Sequence, residues 1–300
     1  MVRLQPSFVP EKFRNMKKTI TLVLTLSITM ALKAQTFEKV WETSALEAPE
    51  SVVSFENFYY VSNVSGQPAD KNGQGFISKL DKEGNIVQKK WAYGFNAPKG
   101  LGIYGSELFV ADIDVVAIVD LNTGKIKQKL LAEGATFLND VEVSENGTVY
   151  ITDTFGGNAI YQIKDRTISL WLKDEVLDYP NGLKLRDNFL YVSTWGVVTN
   201  PETFGTDVPG KVLKIDVDTK DLSAITPAIG NLDGLVNFGN SFMVSDWIAG
   251  GLMLVTMDGT SKKLLELNPG SADILYLEEE HLMLIPQMMD GSLIAYKLVK

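Results

Sequence analysis

Glu50, Asn139, Asn181 and Asp233 stand at the same place in four short segments: Pro49-Glu50-Ser51-Val52, Leu138-Asn139-Asp140-Val141, Pro180-Asn181-Gly182-Leu183 and Leu232-Asp233-Gly234-Leu235. Two further copies, Pro98-Lys99-Gly100-Leu101 and Ser271-Ala272-Asp273-Ile274, place Lys99 and Ala272 at that position. Taken singly, Asn-Gly and Asp-Gly are everyday turn dipeptides. Four oxygen side chains at one repeat position point instead to a site. Two carboxylates and two carboxamides make an all-oxygen donor set, and Ca²⁺ prefers such mixed shells with water completing them. Mg²⁺ or Mn²⁺ also fits, whereas soft-ligand metals do not. The two carboxylates balance the ion, which leaves Lys99 as a surplus charge that either pairs with Glu50 or faces a substrate oxygen.

Composition narrows the chemistry further. The 300 residues include no Cys and one His. Thiol nucleophiles, Cys-based zinc or iron–sulfur sites and multi-His metal centres are therefore excluded. A Ser-His-Asp triad has one candidate, His281, which follows Glu278-Glu279-Glu280 and reads as a solvent-facing turn. The net charge of −9 argues against binding a phosphate backbone. A hydrophobic content of 45% is ample for a core.

The elements that must position these side chains follow from the repeat. Each opening segment is followed by an apolar run ending 13 or 14 residues on, at Asn63, Asp112, Asp153, Thr194, Asp246 and Pro286. The copies are spaced 49, 40, 42, 52 and 39 residues apart. Turn signals such as Glu145-Asn146-Gly147 and Asp258-Gly259 separate short runs rich in Val, Ile, Tyr and Phe. Units of this length with about four strands are propeller blades. The expected fold is all-β, a six-bladed β-propeller over residues 35–300. Only 29 residues run from Ala272 to the end, room for three strands, so Phe37–Thr43 is expected to supply the outer strand of the last blade. A stacked-strand solenoid is the alternative. In a propeller the first strand of each blade lines the channel, so Glu50, Lys99, Asn139, Asn181, Asp233 and Ala272 form a ring. The second column (Asn63, Asp112, Asp153, Thr194, Asp246) is read as turn-capping, and Trp195, Phe204, Trp247, Met288 and Met289 as rim residues. The insert Gly196–Pro209 reads as a lid over the channel mouth.

Residues 1–34 read as a secretory signal peptide, with Met16 as its start. Lys17-Lys18 precede a short apolar run, Ile20–Leu32, that ends in small residues. Thirteen residues are too few to span a bilayer. A net +5 in this leader leaves −14 on the remainder. A Cys-free acidic protein with such a leader is expected in a bacterial periplasm or outside the cell, without a lipid or membrane anchor.

The segments around Asn139, Asn181 and Asp233, with Val149-Tyr150-Ile151-Thr152-Asp153-Thr154, resemble the calcium-dependent propeller superfamily of regucalcin, gluconolactonase (senescence marker protein-like) and the paraoxonases, and more distantly NHL-type propellers. The resemblance spans Glu50 to the C-terminus. It implies that Glu50, Asn181 and Asp233 hold the metal, that Asn139 touches metal or substrate, and that Asp233 is also the general base. It thus implies metal-assisted lactone or ester hydrolysis. Departures bear on the substrate. Ser51-Val52 follow Glu50 where family members tend to have Gly-Pro, and Phe137 stands where a sugar-gripping Arg is usual. The paraoxonase His pair has no counterpart. Loss of the Arg tilts the pocket toward apolar acyl groups, with Lys99, Asn139, Phe137, Trp195 and Trp247 as substrate contacts. The competing reading is a non-catalytic propeller whose ring holds a structural ion and whose face binds a small ligand or a partner protein.

Overall fold

The structure, a computed structural model, describes residues 36–200 and 202–299. The leader expected over residues 1–34, and Met16 with it, lies outside the described residues. Six four-stranded antiparallel sheets, with one two-stranded hairpin beside them, make up the fold. The first blade comprises Pro49–Phe55, Phe58–Asn63, Gly75–Leu80 and Ile86–Phe95, running from the innermost strand outward. Four blades of the same order open with Pro98–Tyr104, Leu138–Val143, Pro180–Arg186 and Leu232–Phe238. Each innermost strand lies beside the next. The ring closes where the Asp273 N–H donates to the Glu50 carbonyl (3.0 Å).

The sixth blade contains Leu275–Leu277, Leu282–Gln287 and Ser292–Val299, and its outer strand is Thr36–Thr43 from the other end of the chain. Phe37 pairs with Leu298 and Thr43 with Leu293 in an antiparallel register. The two ends of the chain thus close the last blade, and the outer edge of Ser292–Val299 is paired rather than bare.

The core sits between blades. Leu138, Val141, Val149 and Ile151 of the third blade pack on Phe109, Ala111, Val116 and Ile118 of the second. Leu282, Leu284, Leu293 and Ala295 of the sixth pack on Val52, Tyr59, Val61 and Leu80 of the first. Because neighbours cover both faces of each sheet, central strands such as Val115–Asp120 are apolar almost continuously rather than alternately.

The second-column residues tie down loop backbone: in the first three blades that of the entering loop, in the fourth and fifth that of the segment after the second strand. Asn63 Oδ1 accepts the Glu47 N–H (2.9 Å), Asp112 accepts those of Asn96 and Ala97, and Asp153 accepts that of Phe137 (2.7 Å). Thr194 Oγ1 accepts the Lys211 N–H and Asp246 Oδ1 that of Ala249. These buried side chains satisfy backbone donors that no ladder reaches.

Candidate functional site

Glu50, Lys99, Asn139, Asn181 and Asp233 are each the second residue of an innermost strand. At each of these places the ladder to the second strand is broken: register shifts lie between Pro49 and Val52, Pro98 and Leu101, Leu138 and Val141, Pro180 and Leu183, and Leu232 and Leu235. An irregularity of this kind re-aims a side chain that a regular strand would hold across the sheet. The glycine after Lys99, Asn181 and Asp233 explains the tight spacing there. A Cβ at Gly182 would overlap the Asp233 carbonyl, and one at Gly234 would overlap the backbone of Asp273 and Ile274. The Asn-Gly and Asp-Gly steps are therefore places where inner strands approach, not turns.

Hydroxyls on the second strands fix the ring from behind. Thr152 Oγ1 donates to the Asn181 carbonyl (2.9 Å), Ser193 Oγ to that of Asp233, and Ser245 Oγ to that of Ala272 (2.8 Å). Each reaches from one blade to the ring residue of the next. The motif pattern did not single them out, although Ser62, Thr152, Ser193 and Ser245 recur one position before the second column.

All the candidate site residues line one cavity of about 100 Å³ at the channel mouth: Glu50, Lys99, Phe137, Asn139, Asn181, Trp195, Asp233 and Trp247. Phe204 and Met288 join them, but Met289 points to solvent. Pro68 and Phe155 line it too, and neither stands out in the sequence. Phe155 lies in the short turn Thr154–Gly157 and contacts Phe137, Trp195 and Phe204, with ring centroids 4.8, 5.6 and 4.8 Å apart. It escapes the repeat pattern because it stands one place beyond the position that Trp195 and Trp247 occupy in their blades. The lid insert folds as a hairpin of Gly196–Asn200 and Gly205–Pro209, and its Phe204 carbonyl accepts the Trp195 indole N–H (2.9 Å).

The ring's polar atoms are only partly spoken for. Asn139 Nδ2 donates to Asn181 Oδ1 (2.6 Å) and Thr154 Oγ1 (3.1 Å). Glu50 Oε2, Asn139 Oδ1 and Asp233 Oδ1 are buried with no hydrogen-bond partner. Burial holds the Glu50 carboxyl well above its usual range, the Asp233 and Asp273 charges add to this, and Lys99 opposes it. Burial also pushes Asp233 up to about 8, with Asp140 adding and the Asn181 carboxamide opposing. Three unpartnered oxygens facing one cavity, two of them on acids that resist ionising together, match what a divalent cation satisfies. Glu50, Asn139 and Asp233 would hold it through these atoms, with Asn181 beside them. Among the described residues, no group of three or more His, Asp or Glu forms a metal cluster, so the candidate donor set depends on its carboxamides.

Of the two roles open to Lys99, one is not taken. It does not pair with Glu50: among the described residues its ammonium makes no ion pair within 4.0 Å. It donates to the Ala97 carbonyl (3.2 Å) and lies 4.3 Å over the Phe137 ring. Deeper in the channel, Asp140 spends both oxygens on the Val141 and Leu183 N–H groups (2.7 and 2.5 Å), and Lys184 pairs with Glu142 (2.9 Å). Those charges hold blades together. His281 is exposed, in the turn before Leu282–Gln287 with φ of 50°, and takes no part in the cavity. No described helix is long and apolar enough to cross a membrane.

No family model matches the sequence, and no curated protein matches it. Solved structures do. A gluconolactonase of Xanthomonas campestris is similar over 90% of this chain and 93% of its own, with 15% identity and a TM-score of 0.66. The virginiamycin B lyase of Staphylococcus aureus is similar over 88% of this chain and 100% of its own, with 13% identity and a TM-score of 0.59. A chain of a nidogen/laminin complex is similar over 75% and 86%, with 15% identity and a TM-score of 0.58. Identities this low speak for architecture, and the architecture of this chain is the six-bladed β-propeller on which gluconolactonases are built.

Proposed function

We propose that the chain is an exported, Ca²⁺-dependent hydrolase of small lactones or carboxylic esters, working in the periplasm or outside the cell. The observation that carries the reading is the trio of buried, unpartnered oxygens on Glu50, Asn139 and Asp233, all lining one cavity with apolar walls. A divalent cation held there supplies positive charge that polarises an acyl carbonyl and favours negative charge on its oxygen. The chain's own residues do the rest. Asp233 takes a proton from the attacking water and returns it to the departing alkoxide, so that a lactone opens to its hydroxy acid. Burial raises this carboxyl in the ion-free protein and so favours its taking a proton, while a bound cation opposes that shift. Asn181 beside Asp233, and Asn139 tied to both Asn181 and Thr154, fix the ring's orientation. Phe137, Phe155, Trp195 and Trp247 exclude water and receive the apolar part of the substrate.

The test is a screen of the purified protein against lactones and aryl esters with Ca²⁺ and with EDTA. Turnover that EDTA abolishes and Ca²⁺ restores supports the hydrolase. Tight Ca²⁺ binding with no turnover on any substrate supports the binding propeller instead, because one fold serves many functions.

A further inference from the structure

Lys99 is the one charged ring member that a divalent cation does not explain. Its side chain is 1% exposed, yet only one of its three ammonium protons has a partner, the Ala97 carbonyl at 3.2 Å. A buried ammonium left this bare is costly unless an anion meets it. Its remaining donors have the cavity beside them, and the ring of Phe137 lies 4.3 Å from the nitrogen. Besides the polar ring residues Glu50, Asn139, Asn181 and Asp233, which the proposed ion occupies, the lining is apolar and mostly flat: Phe137, Phe155, Trp195, Phe204 and Trp247. One cationic end and a wall of rings describe the complement of an amphipathic anion. The volume of about 100 Å³ is somewhat below the roughly 150 Å³ of an apolar cavity that takes up benzene. A planar ring or a short chain therefore enters only in part, with the remainder projecting through the mouth.

We propose that the cavity is a subsite for amphipathic carboxylates: Lys99 takes the carboxylate and the aromatic wall takes the ring or chain. The inference rests on the ion-binding ring of the proposed function only in that the ion compensates Glu50 and Asp233 and leaves Lys99 as the free charge. For a hydrolase it makes the acid, rather than a neutral analogue, the tighter ligand, so the site selects esters whose acyl or alkyl part carries a carboxylate and is inhibited by simple aryl acids.

Phenylacetate, phenylacetamide and phenethylamine share one ring and differ in charge, and their binding at neutral pH is read by calorimetry and by the fluorescence of Trp195 and Trp247. In the wild-type protein with Ca²⁺, phenylacetate binds at least about tenfold more tightly than the amide, as expected for a charge-assisted contact, and the amine binds most weakly. In Lys99→Met, which keeps the length of the side chain and removes its charge, the acid and the amide bind alike. A preference that survives in Lys99→Met overturns the proposal, because the ion and not Lys99 is then the anion receptor. So do equal acid and amide affinities in the wild type, or no phenylacetate binding at millimolar concentration. If Lys99→Met fails to fold, Lys99→Gln, which also removes the charge, carries the same comparison, and an acid preference that survives there overturns the proposal. Ca²⁺ binding is measured separately by calorimetry without any probe, so failure of the ion site and failure of the carboxylate subsite are read on different titrations.

Discussion

At the scale of single residues, Asp233 carries the most. It supplies an unpartnered buried oxygen to the candidate ion site and is the proposed base. Asp233→Ala is expected to abolish Ca²⁺ binding in calorimetry and all ester turnover together. Unchanged kinetics would remove Asp233 from the mechanism. The same residue sets a pH dependence in the ion-free protein. An unfolded Asp ionises near 3.9, whereas burial raises the folded group to about 8. Between these values the folded state binds a proton that the unfolded state has released, so stability falls as pH rises. Glu50, raised for the same reason, works in the same direction. In EDTA the thermal midpoint should drop steadily from about pH 5 to about pH 8, and saturating Ca²⁺ should flatten that slope. A midpoint that rises over this window would contradict the burial of uncompensated acids.

At the scale of elements, the site depends on how closely the innermost strands approach each other. Gly182 lies against the Asp233 carbonyl and Ser193 Oγ, with no room for a Cβ. Gly182→Ala is expected to cost about 1–3 kcal/mol, the usual penalty of overpacking, read as a lower denaturant midpoint, and to weaken Ca²⁺ binding because the strand bearing Asp233 is pushed away. Ser193→Ala probes the same junction from the other side. It removes the donor to the Asp233 carbonyl and leaves a buried acceptor unpaired, at a cost of about 1–3 kcal/mol. Ser62 donates within its own blade, to Ser51, so Ser62→Ala should leave Ca²⁺ affinity closer to wild type than Ser193→Ala does. Equal effects of the two on affinity would show that the inter-blade tie does not position the ring.

At the scale of the whole molecule, closure is the source of rigidity. Thr36–Thr43 pairs along almost the whole of Ser292–Val299, and Trp41 reaches Tyr59 in the first blade with ring centroids 6.0 Å apart. Deleting residues 36–43 should bare a long strand edge. The expected outcome is a lower unfolding midpoint and concentration-dependent association in light scattering. A truncated chain that stays monomeric with an unchanged midpoint would mean that the last blade needs no outer strand. This closure was legible in the sequence because two incomplete pieces, an orphan strand and a short last repeat, add up to one blade. The ring was legible for a related reason: Glu50, Lys99, Asn139, Asn181 and Asp233 recur in register, and equivalent residues of a rotational repeat must meet at its axis.

Repetition along the chain thus fixed the architecture, the membership of the ring and the rim places of Trp195 and Trp247, since a periodic pattern carries its own geometry, whereas Phe137 was legible only through the family resemblance. The repeat could not fix what happens across a gap between blades. Whether Lys99 pairs with Glu50 or lies over Phe137, which carbonyl a Ser or Thr hydroxyl reaches 29 or 40 residues away, and how Phe155 enters the wall from a four-residue turn all depend on close approach between strands distant in sequence. Such contacts follow from packing rather than from period, and only the assembled tertiary structure decided them.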